Sequence, residues 1–324
     1  MLAHKLLNIE YLKQYIDFKK KIYIAYSGGI DSTVLLDILG KNVHKFNLDI
    51  TAIHVNHNLS KNSLSWENHC REFCNSLNLN LISESVEVCS SGGGIESAAR
   101  KARYEIFCKY LNNDGQILTA HHIDDVTETI FLRLLRGTGI DGLQGLKRHR
   151  KLGKGQLIRP FLEVSKNEIK DYAKNNDLNY ISDESNENNE FDRNFLRNEI
   201  FPKLDKRWND FSSRVSKMSK IIEERNNNFS NLLYKNYGNL ISNVISKKEL
   251  ETLDIDIVKE IIRSSIRNEN ISIPNSKILN EIIKTFIYSN PSAKSIVSWS
   301  RADKDQQAGK ITYKDGNIII STQE

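Results

Sequence analysis

Lys21-Ile-Tyr-Ile-Ala-Tyr26 runs into Ser27-Gly28-Gly29-Ile30-Asp31-Ser32, and that into Thr33-Val-Leu-Leu-Asp-Ile-Leu39, closed by Gly40. The first stretch reads as a strand, with Ile22 and Ile24 on one face and Tyr23 on the other. The last is apolar at helical spacing. A strand, a small-residue loop and a helix make an anion cradle, because the first N–H groups of a helix have no internal partner and point at whatever lies there. Gly28 and Gly29 allow close approach of the backbone and positive φ; Ser27 and Ser32 add hydroxyl donors. Asp31 is out of place in a pure anion site. A carboxylate beside phosphate calls for a bridging cation, most simply Mg²⁺. Neither G-x-x-x-x-G-K-[ST] nor G-x-G-x-x-G is present at this turn, which excludes the two commonest phosphate loops.

Outward from this turn the first 120 residues alternate strand and helix signals. Leu48–Val55 is β-branched, Leu64–Leu77 is helical, Leu79–Val88 is a strand, and a serine–glycine loop spans 90–94. A helix follows from about Ile95 to Leu111, then a strand at Gln116–Ala120 ending in His121-His122. This order predicts an α/β fold, a parallel sheet with helices on both faces. Ligands then bind at the carboxyl ends of the strands, so the Ser27 loop, the His54–His57 turn and the His121–Asp125 turn should rim one crevice. Residues 147–160 are basic and read as a hairpin. Ser165 with Glu168 three residues on is a capping box. Residues 183–190 are acidic and read as an exposed loop.

At 324 residues the chain has room for two domains, at roughly 100–200 residues each. The pattern changes beyond residue 210, so the expected division is 1–210 and 211–324. The second part should be smaller and mainly helical, with helices near 211–236, 248–268 and 275–288 and a terminal hairpin turning at Asp315-Gly316. Lysine and arginine number 46 against 41 acidic residues, a net charge of +5. Residues 193–220 hold eight basic and three acidic side chains, which admits a nucleic-acid partner. The four cysteines include no C-x-x-C pair, against a zinc knuckle or redox pair. Cys70 and Cys74, i,i+4 on a helix, read as core. No signal peptide and no long apolar span is evident, so a cytoplasmic protein with no membrane partner is expected.

Further motifs extend the reading: His54-Val-Asn-His-Asn-Leu-Ser60, Gly94-Ile-Glu-Ser-Ala-Ala-Arg-Lys-Ala-Arg-Tyr104, Thr119-Ala-His-His-Ile-Asp-Asp-Val-Thr-Glu-Thr129, Leu132-Arg-Leu-Leu-Arg-Gly-Thr-Gly139, Arg159-Pro-Phe-Leu162 and Arg193-Asn-Phe-Leu-Arg197. With the Ser27–Ser32 loop, this order resembles the tRNA(Ile)-lysidine synthetase family of PP-loop enzymes over roughly residues 20–205. The resemblance implies a ligase. It would adenylate C2 of the wobble cytidine in the CAU anticodon of tRNA(Ile), releasing pyrophosphate, and L-lysine would then displace AMP. Codon reading would change from AUG to AUA. The implied partners are that tRNA and L-lysine, with ATP as co-substrate and Mg²⁺ on Asp31; a homodimer is allowed. The C-terminal hundred residues resemble the family's helical tRNA-binding region only in general character.

Physical chemistry assigns roles within that frame. Ser27–Ser32 and His54 are expected to bind ATP. Asp125 and Glu128 are i,i+3 at the opening of a helix and so share a face; such a pair can hold the lysine ammonium and accept a proton from it. Of Arg100 and Arg103, one should face the crevice and neutralise phosphate charge, and motif position favours Arg103. The expected catalytic set is therefore Asp31, Arg103, Asp125 and Glu128. Arg193 and Arg197, i,i+4 in the basic block, are expected to contact tRNA phosphate or the active site. The competing classes are another PP-loop adenylating enzyme of tRNA, and a non-catalytic RNA- or nucleotide-binding protein with a vestigial loop.

Overall fold

The computed structural model describes residues 6–88, 94–111, 114–300 and 307–323. Cys89 and most of the serine–glycine loop lie outside the described residues. Two compact units divide the chain: Met1–Ser90 with Ala98–Ile221, and Ser91–Ser97 with Ile222–Glu324.

The first unit is built on six strands: β1 Ile22–Ala25, β2 Ile50–Asn56, β3 Asn80–Ser85, β4 Gln116–Leu118, β5 His149–Leu152 and β6 Gly155–Ile158. Their order is β3-β2-β1-β4-β6-β5, parallel except for the β5–β6 hairpin. Alternation along β1 shows why the sheet is covered on both sides. Ile22 and Ile24 enter one buried cluster, with Val34, Leu35, Ile38 and Leu39 of helix α1 (Ile30–Gly40) and with Cys70 and Cys74 of α2 (Ser63–Ser76). Tyr23 enters another, with Phe107 and Leu111, the former on α3 (Gly94–Tyr110). Both cysteines are fully buried, as expected of core residues. Helices α4 (Ile123–Leu135) and α5 (Lys166–Asn175) follow β4 and β6.

The strand order carries the functional information. From β1 the chain moves outward through β2 and β3, then crosses back to place β4 on the other side of β1. The reversal opens a crevice at the carboxyl ends of β1 and β4, the position where open α/β sheets take ligands.

The second unit takes the later part of α6 (Phe211–Tyr237), then α7 (Ile255–Asn268) and α8 (Ser276–Phe286). Strands β7 Val244–Ser246, β8 Ile296–Trp299, β9 Gly309–Lys314 and β10 Asn317–Thr322 form an antiparallel sheet in the order β7-β10-β9-β8. Val258, Ile261, Ile262 and Ile266 line one face of α7, and Leu279, Ile282, Ile283 and Phe286 one face of α8. All are in a single core with Ile245, Trp299, Ile311 and Ile318. The terminal hairpin is present, but flanking strands widen it into a sheet, so this unit is less purely helical than the sequence pattern implies. The stretch read as one helix over 248–268 is broken, because Asp254 leaves helical geometry to cap α7, its side chain accepting from the Asp256 N–H.

Candidate active site

The Ser27 loop folds by its own hydrogen bonds. Ser32 Oγ donates to the Gly29 carbonyl at 3.0 Å and accepts from the Ser27 N–H at 3.3 Å. Thr33 Oγ1 donates to the Gly28 and Gly29 carbonyls. Gly28 has φ of +81°, and a Cβ there would stand 2.3 Å from Ile181 Cδ1. Gly29 differs from expectation: it is the N-cap of α1 with φ of −70°, an ordinary extended conformation. Only Gly28 uses the left-handed region. The Ile181 N–H donates to the Gly28 carbonyl at 2.9 Å, and Gly29 pairs with Ile181 as a parallel bridge. The loop is thus held from below by a segment far along the chain.

Asp31 stands on the first turn of α1, about one third exposed. Lys166 Nζ lies 2.6 Å from its Oδ1, and His122 Nε2 lies 3.8 Å from the same oxygen. Lys166 is absent from the expected set. It opens α5, whose N-terminus is fixed by the Ser165–Glu168 capping box, seen with both reciprocal bonds. That box, following a strand of a parallel sheet, is the signal that puts Lys166 at the crevice.

His122 caps α4. Its Nδ1 accepts from the Asp124 N–H, while the His122 backbone N–H donates to Asp125 Oδ2 at 2.8 Å, a capping box built on histidine. With Nδ1 as acceptor, the ring presents Nε2 toward Asp31 and Asp125, the latter at 3.5 Å. Burial pushes the Asp125 carboxyl up. The His122 and His121 rings, the backbone bond and Arg193 outweigh it and hold the group well below the usual carboxylate range. Burial pushes His121 down to about 3, opposed by Asp125 and reinforced by Arg159, Arg100 and Arg193.

Glu128 lies one turn further and is fully buried. Arg197 grips it with Nε at 2.7 Å and Nη2 at 3.0 Å, and Arg193 Nε lies 3.2 Å away. Arg197 also comes within 3.6 Å of Asp125. Burial, then Asp125, push the Glu128 carboxyl above its ordinary value, and the arginines oppose that. This arrangement differs from the expected one at Glu128. Arg193 and Arg197 turn inward to Glu128, on the active-site side of their two expected placements, and the Glu128 carboxylate is already filled by two guanidinium groups. Asp125, with Arg197 on one side and His122 on the other, is the member of the expected lysine-binding pair that retains surface.

The remaining expected residues fall around β2. His54 is buried, its Nδ1 3.0 Å from the Tyr26 carbonyl and 3.5 Å from Cys70 Sγ. It lies under the residue that precedes the loop, and burial pushes its pKa down. Arg103 is exposed on α3 with Nη2 3.5 Å from His57 Nε2. Burial, with Arg103 adding to it, pushes His57 down to about 4. The structure therefore gathers Asp31, Lys166, His122, Asp125, Glu128, Arg193 and Arg197 into one continuous network, and sets His54 and Arg103 beside β2.

A strand–loop–helix phosphate cradle at the switch point of a parallel sheet, with an acid on the first helical turn, defines the PP-loop class of ATP-using proteins. The PP-loop domain family matches residues 4–204. A tRNA(Ile)-lysidine synthase of Legionella pneumophila (strain Lens) is 33% identical over 345 aligned positions, covering 99% of this chain and 79% of that protein. One from Haemophilus influenzae (strain PittGG) is 36% identical over 276 positions, covering 83% of this chain and 64% of that protein. Among solved structures, the U34-tRNA thiolase NcsA from Methanococcus maripaludis superposes with a TM-score of 0.53 at 16% identity, covering 68% of this chain and 76% of that one. That likeness shows the fold alone. The chain belongs to the tRNA(Ile)-lysidine synthase family.

Proposed function

We propose that this chain is an AMP-forming ligase that joins L-lysine to C2 of the wobble cytidine in the CAU anticodon of tRNA(Ile), giving lysidine and changing the codon read from AUG to AUA. The observation that carries the reading is the shared crevice. A phosphate cradle at the end of β1 and an acid-lined helix start at the end of β4 stand on either side of the sheet's reversal.

In the first half-reaction the Ser27–Ser32 loop holds the ATP phosphates, and the oxygen on C2 of cytidine attacks the α-phosphorus as pyrophosphate leaves. Asp31 would be the residue to hold a Mg²⁺, since that ion is commonly bound by one or two carboxylates together with substrate phosphates. Among the described residues no group of three His, Cys, Asp or Glu side chains forms a closed metal site. Such an ion would supply charge neutralisation for the leaving pyrophosphate. Lys166, on the same Asp31 oxygen, is a mobile cation able to swing to phosphate. In the second half-reaction Asp125, held as a carboxylate, receives the lysine ammonium as its counter-ion; the ammonium gives a proton to solvent, and the freed amine attacks C2 as AMP leaves. Glu128 holds Arg193 and Arg197 in place behind Asp125. The second unit is assigned a share of tRNA binding.

Action in the cytoplasm suits a tRNA substrate, and among the described residues no helix is long and apolar enough to cross a membrane. The test is mass spectrometry of nucleosides from tRNA(Ile) incubated with the protein, ATP, Mg²⁺ and lysine. Lysidine is the expected product. Absence of both lysidine and pyrophosphate release in the complete mixture would sink the reading in favour of a non-catalytic binding protein.

A further inference from the structure

A second cationic cluster lies apart from the Asp31–Glu128 network. Tyr104 of α3 is flanked by two guanidinium groups, Arg100 with its Cζ 5.0 Å from the ring centroid and Arg150 of β5 at 4.9 Å. Arg100 Nη2 also donates to the Tyr104 hydroxyl at 3.2 Å. Arg159, at the end of β6, is 2% exposed and donates from Nη1 to the Lys147 carbonyl at 2.6 Å. Burial pushes its guanidinium down from the usual arginine range; Tyr104 opposes that, and Arg150 and Arg100 add to it. The Nε atoms of Arg150 and Arg159 are both buried without a hydrogen-bond partner.

Arg159 in the interior and the half-buried Arg150 both lack the counter-charge that such cations normally have. Neither has a carboxylate within ion-pair distance among the described residues. Arg148 on the same hairpin shows the contrast: its Nη2 is 2.9 Å from Glu163, and its guanidinium stacks 3.8 Å from Tyr15. Burying a cation without a counter-charge is costly. Gathering like charges on one ring adds to the cost. The arrangement makes physical sense if an anion completes it. Guanidinium forks match phosphate oxygens two at a time, which a point charge cannot do.

Position in the sheet says which phosphate. Strand β4 separates β1, which carries the ATP loop, from β6 and β5, which carry Arg159 and Arg150. The ATP phosphates are drawn to the Ser27 side. An anion seated by this cluster would lie on the far side of β4 from the ATP loop and would belong to the other substrate. We propose that Arg100, Arg150 and Arg159, gathered on Tyr104, seat a backbone phosphate of the tRNA strand beside the nucleotide being modified. This inference rests on the tRNA-modifying reading above. Backbone contacts of this kind fix register without reading sequence.

The test uses the full chain with Arg150→Ala and Arg150→Lys. Arg150 is half-buried on an edge strand, so its truncation spares the core. Dissociation constants are measured over a salt series for a tRNA(Ile) transcript, for a tRNA with an unrelated anticodon, and for ATP. Arg150→Ala is expected to weaken both tRNAs about tenfold, as for loss of one charged hydrogen-bonding group, and to reduce the salt slope by about one. Arg150→Lys should restore the slope but only part of the affinity. ATP affinity should be unchanged. The seat is overturned if tRNA affinity and slope are unaltered in Arg150→Ala, if ATP affinity falls instead, or if the loss is confined to one tRNA, which would mark a base contact. Wild-type protein that bound no tRNA would overturn the parent reading as well; wild-type binding that Arg150→Ala leaves intact would overturn the seat alone.

Discussion

Asp31 and Glu128 are both carboxylates held by cationic side chains in the first unit, and their surroundings are opposite. Asp31 and Lys166 are each about one third exposed and joined by a single contact. Glu128 has no exposed surface and takes a two-pronged grip from Arg197 with Arg193 alongside. In an exposed pair, water competes for both charges, and the bond is worth ~1 kcal/mol or less. In a buried pair the partners cannot be separated without stranding a charge. The first region is therefore built to exchange partners, and the second to stay as it is. A site that must admit a nucleotide and then a different nucleophile needs one of each.

Four substitutions or conditions test that contrast. Glu128→Ala should have the largest effect on folding, removing the carboxylate that holds both Arg193 and Arg197, with a loss of about 2–3 kcal/mol by urea unfolding, below the full cost of a stranded buried charge because both arginines are partly exposed; a loss below ~1 kcal/mol would erase the distinction. Asp31→Ala should cost catalysis instead of stability. Pyrophosphate release is expected to fall by about 10²–10³, with the melting temperature and tRNA affinity nearly unchanged. Lys166→Ala should be milder, weakening ATP binding by roughly tenfold in equilibrium titration while leaving the fold intact; a drop in stability as large as that of Glu128→Ala would show that this pair is structural too. The smallest change is expected for Lys101→Ala. Its contact with Glu105 is 3.7 Å on a solvated helix face, and its removal should stay within ~0.5 kcal/mol.

Acid probes the buried side as a whole. His57 is held at about 4 and His121 at about 3 in the folded chain, against about 6.5 when unfolded. Between those values the unfolded chain binds more protons, so stability rises with pH through this window and is fully present above about 6.5. The melting temperature should fall as pH is lowered from 7 toward 5. A flat profile would mean that neither ring is shielded.

What could be read from the sequence was what depends on neighbours along the chain. The strand, loop and helix around Ser27 are consecutive. So are the Ser165–Glu168 cap, the hairpin read over 147–160 and the apolar faces of α7 and α8. The parallel sheet was legible from alternation alone, because a βαβ order leaves few topologies. The contacts that give residues their roles were not legible. Arg197 is in a basic block and reads as a contact to tRNA phosphate or the active site, but nothing along the chain names Glu128 as its partner. Lys166 meets Asp31 because β6 lies one strand beyond β4, a matter of strand order. Arg150, Arg159 and Tyr104 come from three separate elements. In the second unit the terminal hairpin announced itself at Asp315-Gly316, whereas β7 and β8, three and four residues long, carry too little pattern to signal their pairing.

The bridge between Gly28 and Ile181 has a consequence for how the chain acquires its function during synthesis. The loop's own sequence is made early, but the segment that pairs with its backbone arrives after β6 and α5 have been built. Contacts between positions so distant in the chain form late, because the intervening loop must close first. A nascent chain ending before Ile181 would hold β1 and α1 with the Gly28 carbonyl keeping only its local bond from Thr33 and without the backbone bridge to Ile181. Nucleotide affinity should therefore appear as a step when the sheet is complete, so that unfinished chains do not consume ATP.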